Sequence, residues 1–173
     1  MNRQALYRLQ HTIRLWMIPS SAKRAKYIKE HGIFREIGNG CTIMERKIPL
    51  YPNLISIGNN VHLASKVFLI PHDAIHLCLN GVGDTSVKEK IGCIEIGNNV
   101  FIGSNTIVLY DVKIGSNVVI GAGSLVNKDI PDNSVAVGVP AKVIGTFENL
   151  KKKRQEEKTG KRLSERSIRP ASP

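Results

Sequence analysis

The chain has 173 residues, a size that suits one domain with a real core, and its aromatic content of 5% is low for a sandwich or a helical bundle. The net charge of +11 is confined to the two ends: residues 1–31 carry seven Lys/Arg against one acid, residues 146–173 carry nine against four, and residues 32–145 carry nine of each. No basic face is interleaved with aromatics and no nucleic-acid motif is present, so nucleic acid is not the expected partner. The basic ends read as solvated helices, with an anionic membrane surface or a phosphate-rich substrate as the partner to test.

In chain order, residues 2–18 form an amphipathic pattern. Leu6, Leu9, Ile13 and Trp16 or Met17 follow three–four spacing. That stripe is expected to pack on the body or on a neighbouring subunit; resting on a membrane is the alternative. Pro19 ends the helix, Ser20 or Ser21 caps a second one, "AKRAKYIKEH", and Gly32 stops it. "IRLWMIP" is short and no cleavage-like stretch follows it, so no signal peptide is expected. No apolar run reaches the roughly 18–20 residues that cross a bilayer.

From residue 37 the chain repeats. Ile57, Leu63, Leu69 and Ile75 are spaced by six, as are Ile96, Ile102, Val108, Ile114, Ile120 and Val126; Ile37 and Ile43 start the pattern earlier. The fifth place of each hexad holds Val61, Val67, Val100, Thr106, Val112, Val118, Ser124 and Ile130, with Leu79 in a less regular hexad. Neither a helix nor a simple alternating strand has this period. One hexad makes a short strand and a corner, the aliphatic residue points inward, and glycine at the second place relieves the corner. Three hexads complete a triangular coil, and coils stack at about 4.8 Å. A coil cannot bury its inner face alone, so the ends need covers, and the terminal helices are the expected ones.

The three cysteines, Cys41, Cys78 and Cys93, form no CxxC pair, and Cys41 falls on a small inward position. A reducing, cytoplasmic location is expected. After Gly145, "FENLKKKRQEEKTGKR" reads as a charged helix, and "LSERSIRPASP" as a disordered tail. The expected organisation is a helical cap at 1–32, a repeat domain at 33–145 and a basic helix and tail at 146–173.

The repeat breaks at "LIPHDAIH", residues 69–76. A small apolar residue belongs at 73, where Asp73 stands, and Pro71 removes a backbone donor from a strand. After Ile75 the phase is lost until Ile96, and residues 77–94 read as a projecting loop. A sequence that violates its own local rule marks a candidate site.

The stretch "IEIGNNVFIGSNTIVLYDVKIGSNVVIGAGSLVNKDIPDNSVAVGVPAKVIG", residues 94–145, resembles the hexapeptide-repeat acyltransferases, and the resemblance covers roughly 37–145. It is most similar to the sugar, antibiotic and surface-polysaccharide O-acetyltransferases. The resemblance implies an all-β solenoid, a left-handed parallel β-helix; parallel crossovers are normally right-handed, so the handedness comes from the resemblance alone. It also implies a homotrimer with sites between subunits, acetyl-CoA as acyl donor, a sugar or glycoconjugate acceptor, and no metal.

In this setting the resemblance makes His72 the general base. An alcohol is a weak nucleophile at neutral pH, and imidazole is the side-chain type suited to taking its proton as attack proceeds. Asp73 either orients an imidazole, accepts a bond from a sugar hydroxyl, or is a turn residue. An inward unpaired carboxylate is costly, so it must turn outward or find a partner. His76 either helps bind the acceptor or faces solvent, and Tyr51 and Asn53 in "LYPNLISIG" are candidates for the acceptor pocket. For the donor, the resemblance assigns Ser104 and Ala122 to the pantetheine arm, Asn127 and Lys128 to the approach to the phosphates, and Lys142 to the nucleotide phosphates. Some relatives carry a second basic residue where this chain has Gly145. A γ-type carbonic anhydrase needs three zinc-binding histidines drawn from neighbouring subunits. His62, His72 and His76 lie within one coil, which disfavours that reading. A non-catalytic scaffold is the remaining rival.

Overall fold

The computed structural model describes residues 3–83 and 86–159; the expected disordered tail lies outside them. Two helices open the chain, α1 (Arg3–Met17) and α2 (Ser21–Glu30). Pro19 lies between them, Ser20 Oγ accepts the Lys23 N–H at the start of α2, and Gly32 adopts φ +55° just past its end. The helix boundaries follow the capping residues in the sequence.

Strands follow as β1 (Glu36–Ile37), β2 (Thr42–Ile43), β3 (Ile55–Ile57), β4 (Val61–Leu63) and β5 (Phe68–Ile70). After a short helix, α3 (Ile75–Asn80), come β6 (Ile94–Ile96), β7 (Val100–Ile102), β8 (Ile107–Leu109), β9 (Val112–Ile114), β10 (Val118–Ile120) and β11 (Leu125–Val126). The chain closes with β12 (Ser134–Val137), β13 (Lys142–Thr146) and α4 (Phe147–Thr159).

These strands form three faces. The first is β1-β3-β6-β9, the second β2-β4-β7-β10-β12-β13, and the third β5-β8-β11. All pairs are parallel except β12 with β13. From β3 to β11 the chain visits first, second and third face in strict rotation, so each circuit is one coil. Val100 pairs with Val118 and Ile107 with Leu125, a coil of 18 residues. Between the two preceding circuits the offset is 39, as for Ile57 with Ile96, so 21 residues leave the coil.

The inward set is the one that the hexads mark. Ile57, Leu63, Leu69, Ile96, Ile102, Val108, Ile114, Ile120 and Val126 are buried, and so are Val61, Val67, Val100, Val112, Val118 and Ile130. Thr106 and Ser124 are buried polar members whose hydroxyls both donate to the Gly121 carbonyl, which removes the cost of enclosing them. Two residues of the sequence pattern depart from it. Ile75 is 58% exposed and Leu79 46% exposed, because both lie on α3, outside the coil.

Corners divide two tasks between neighbouring residues. Left-handed φ values fall on Asn60, Asn99, Asn105 and Asn117, two residues after the glycine. The glycines themselves answer crowding: a Cβ on Gly103 would lie 2.5 Å from the Ala122 nitrogen of the next coil. Asparagine side chains ladder along the stack, with Asn59 N–H donating to Asn98 Oδ1 and Asn99 Nδ2 to Asn117 Oδ1.

The ends differ from expectation. At the first end α2 lies on β1 and β2, and the Arg24 guanidinium, buried, donates to the carbonyls of Ile43, Ile18 and Pro19. Helix α1 does not turn its apolar stripe inward. Leu15 is its buried residue, while Leu6, Leu9, Ile13, Trp16 and Met17 are exposed. At the other end β13 covers the edge of β12, and among the described side chains of α4 the half-buried ones are Phe147 and Leu150.

Candidate active site

The third face has only three strands, and β5 is its first. Chain leaving β5 therefore stands beside no earlier strand on that face. Pro71 is buried, and the excursion departs and returns through a narrow neck. His72 bridges Ile91 in antiparallel fashion, Asp73 N–H donates to the Lys90 carbonyl, and Gly92 N–H donates to the Pro71 carbonyl. The predicted loop is thus a necked excursion carrying a helix. Farther out, Asn80 clasps Val87 through both its N–H and its carbonyl.

Asp73 finds a partner. Its Oδ2 accepts the Tyr110 hydroxyl at 2.6 Å and its Oδ1 accepts the Ile75 N–H at 3.1 Å. These two bonds, Tyr110 first, hold its carboxyl below the usual range, with help from the charges of His76 and Lys90. The same bond raises the Tyr110 hydroxyl above its ordinary value. Lys90 sits over the Tyr110 ring at 4.9 Å and pairs with Asp111 at 3.4 Å. Asp73 is thereby a strut between the excursion and the next coil.

His72 is half-buried, and the Tyr51 ring meets it edge-on at 5.6 Å between centroids. Tyr51 adopts φ +52°, and its hydroxyl donates to Glu89 at 2.7 Å; that bond, burial and the Glu89 charge raise its pKa. The Nδ1 atoms of His72 and His76 are buried and meet no hydrogen-bond partner among the described residues. Unpaired buried nitrogens are costly, so each points to a further group that completes it. His62 differs: Thr42 and Asn60 occupy both its ring nitrogens, which argues against a role as a zinc ligand.

His72 also lines a cleft of about 370 Å³. Its walls are the cap residues Leu15 and Ile28, the interior residues Leu63 and Leu69, and the segment Ile48–Leu50, with Arg8, Glu45 and Lys47 as its other charged members. Asn53 is exposed on a 3₁₀ turn, Pro52–Leu54, and does not line this cleft.

Strand register relates the remaining candidates to His72. Ile70 pairs with Leu109, and Val108 with Val126, so Asn127 and Lys128 continue the corner at which Tyr110 and His72 stand. Both are exposed. Ser104 and Ala122 occupy the opposite corner, between the second and third faces. The Ser104 carbonyl accepts the Gly123 N–H, and Ala122 is exposed. Lys142 is exposed on β13, opposite Val137. The structure thus brings Tyr51, Asp73 and His76 near His72, but among these candidates His72 alone lines the cleft, and Tyr51, Asn53, Asp73 and His76 do not.

Sequence reasoning missed Tyr110, Glu89 and Lys90. Tyr110 had a signal: an offset of 39 places it beside Pro71. Glu89 and Lys90 had none, because the excursion carries no period.

Comparison with known proteins supports the architecture. The family model described as bacterial transferase hexapeptide (six repeats) matches residues 93–128. Protein CapG of Staphylococcus aureus is 44% identical over 120 residues, 65% of this chain and 66% of its own. Galactoside O-acetyltransferase of Escherichia coli K12 is 46% identical over 91 residues, 52% of this chain and 43% of its own. The matched segment thus spans less than two thirds of these curated relatives. Among solved structures, a maltose O-acetyltransferase from Clostridium difficile 630 superposes with TM-score 0.59 at 27% identity, covering 84% of this chain and 89% of that one. A galactoside acetyltransferase in complex with coenzyme A superposes with TM-score 0.58 at 30% identity, covering 88% and 86%. With hexads, three parallel faces and these likenesses together, the chain belongs to the hexapeptide-repeat acyltransferase family.

Proposed function

We propose that this chain transfers an acetyl group from acetyl-CoA to a hydroxyl of a sugar or glycoconjugate, a surface polysaccharide or its precursor. The observation that carries the proposal is the position of His72: at the neck of a large break in the coil, on the wall of a cleft, with a buried Nδ1 that lacks a partner among the described residues. The coil is wound left-handed and the active unit is a homotrimer. One subunit supplies His72, and its neighbour supplies much of the coenzyme A surface.

His72 takes the proton of the acceptor hydroxyl as that oxygen attacks the thioester carbonyl. Backbone N–H groups stabilise the oxyanion. Collapse expels the thiolate of coenzyme A, and His72 returns the proton to it. Tyr51, wedged against the His72 ring and tied to Glu89, limits how the imidazole tilts. Asp73 holds the excursion, and His76 faces the acceptor. Ser104 and Ala122 run along the pantetheine arm. Asn127, Lys128 and Lys142 lie exposed toward the phosphates, where cations are required.

The apolar walls of the cleft favour a second reading, an antibiotic O-acetyltransferase whose acceptor has apolar bulk. One experiment addresses both readings and the scaffold rival. Purified protein is given acetyl-CoA with a panel of sugars, oligosaccharides and apolar alcohols, and thiol release is followed. His72→Ala is expected to lower turnover by about a hundredfold to ten-thousandfold. Unchanged turnover in that variant refutes the base, and no thiol release with any acceptor, together with no coenzyme A binding, leaves the scaffold.

A further inference from the structure

We infer that α1 docks on an anionic lipid bilayer through the face formed by Leu6, Leu9, Ile13, Trp16 and Met17. The inference starts from the rotation of the helix. The side turned to the body is the more polar one. Arg8 Nε and Nη2 donate to the Ile48 carbonyl at 3.3 and 3.2 Å, His11 Nδ1 and the Tyr27 hydroxyl bond at 2.8 Å, and Thr12 Oγ1 accepts the Ile48 N–H at 3.3 Å. Leu15 is buried in their midst. These contacts sit at residues 8, 11, 12 and 15, a helical stripe of their own. They fix the apolar residues at 6, 9, 13, 16 and 17 on the opposite side. Trp16 is 66% exposed and Met17 72% exposed. Leaving a contiguous aliphatic and indole stripe in water is unfavourable, and such a patch marks a contact surface.

Charge selects the occupant. α1 contains no acid, and with Arg8 turned to the body its exposed cations are Arg3 and Arg14. A second copy bringing the same helix face would set Arg3 and Arg14 against their like. An anionic headgroup layer complements them, and an apolar stripe with a tryptophan and flanking arginines suits the interface between headgroup and acyl chain. With 15 residues α1 is too short to cross a bilayer, and among the described residues no helix is long and apolar enough to do so. The helix therefore lies in the plane of the surface. Arg8 and Leu15 line the cleft that holds His72 from the body side of this helix, so the docking face and the cleft lie on opposite sides of α1.

Trp16 is the only tryptophan in the chain, so its fluorescence reports the contact directly. The full chain is titrated with phosphatidylglycerol vesicles and, separately, with phosphatidylcholine vesicles. The expected result is a blue shift and cosedimentation with the anionic vesicles, much weaker with the zwitterionic ones. Ile13→Asp is expected to abolish both while leaving the circular dichroism unchanged, since that position is exposed. The pair Arg3→Gln and Arg14→Gln is expected to lower partitioning about thirtyfold at low salt. Emission that ignores anionic vesicles overturns the inference. So does a shift that follows protein concentration in the absence of lipid, because the face then belongs to an interface between copies.

Discussion

Arg24 is the residue that holds the first cap to the coil, and its removal should be felt in both stability and substrate binding. The residue is 1% exposed, and its guanidinium makes three bonds to carbonyls, at 2.9 Å to Ile43, 2.7 Å to Ile18 and 2.9 Å to Pro19. Burial, with Arg46 close by, lowers its pKa, and Glu45 offsets part of that. It nonetheless stays charged, as arginine does in proteins. Bonds from a charged donor contribute about 1.5–3 kcal/mol each, and the cost of desolvating the charge must be subtracted. Arg24→Met removes that desolvation cost but strands three carbonyls, some of which water can reach once the cap loosens. The expected loss is about 3 kcal/mol, the cost of unsatisfied buried acceptors less the relief of the charge. Arg24→Lys should recover little, because one ammonium cannot span carbonyls on two separate segments as a planar fork does. Urea unfolding of the purified protein measures the loss, and hydrogen exchange at residues 18–24 locates it. Since Leu15 and Ile28 of the cap wall the cleft, the acceptor KM should rise more than kcat falls. A methionine variant within about 0.5 kcal/mol of the parent would refute the reasoning, since surface changes lie in that range. Apolar contacts would then hold the cap by themselves.

Gly103→Ala should cost about 1–3 kcal/mol, because its Cβ would press on backbone of the next coil, whereas Gly145→Ala, with nothing within 4 Å, should be neutral; thermal unfolding compares them. Tyr110→Phe should move the Asp73 carboxyl up toward its ordinary value, read by carbon NMR titration. Because the native carboxyl is depressed, its contribution is present above the ordinary aspartate value of about 3.9 and is lost as pH falls through the lower native value. Acid opening of the excursion should therefore begin at higher pH in the phenylalanine variant. His11 is lowered, first by burial and then by His31, so the unfolded chain takes up its proton first. The bond between α1 and Tyr27 should stabilise fully above pH about 6.5 and weaken as pH falls below it, seen as faster hydrogen exchange along α1 at pH 5.5 than at pH 7.5.

The coil was legible because its physics is periodic. Every inward position sees the same triangular interior, so Ile57 and Ile120 answer to one constraint although they are two coils apart. The same logic located the break, since only a violated period makes Asp73 conspicuous. What lay inside the break was not legible. Ile75 and Leu79 kept the spacing by composition alone, and nothing in six residues of aliphatic and polar alternation distinguishes a coil strand from the short helix α3. The amphipathic pattern of α1 was read correctly as a helix, and of the coverings expected for its stripe the structure excludes the body. Hydrophobic spacing identifies a stripe without saying that the body is what covers it. The decisive contacts were Arg8 and Thr12 with the backbone of Ile48, forty and thirty-six residues away, which local pattern cannot anticipate.

A solenoid built from identical coils has no cleft, because each face is flat and each corner repeats. A site requires that one corner be opened and then held open. This chain does so by removing the first strand of the third face, which leaves β5 exposed to the cap, and by expelling 21 residues just past β5. The opened corner would be free to slide without restraint. Asp73 to Tyr110 and Lys90 to Asp111 tie the neck to the next coil, while Tyr51 to Glu89 ties it to the approach to the first complete coil. His72 lies between these ties, with its ring against Tyr51 and its backbone bridged to Ile91. The three ties thus brace the neck around one imidazole, as the proposed base would need in order to meet a hydroxyl at fixed distance. If they serve only the fold, Tyr51→Phe and Tyr110→Phe should change unfolding and leave kcat alone. If they position His72, kcat should fall in both while coenzyme A binding stays unchanged.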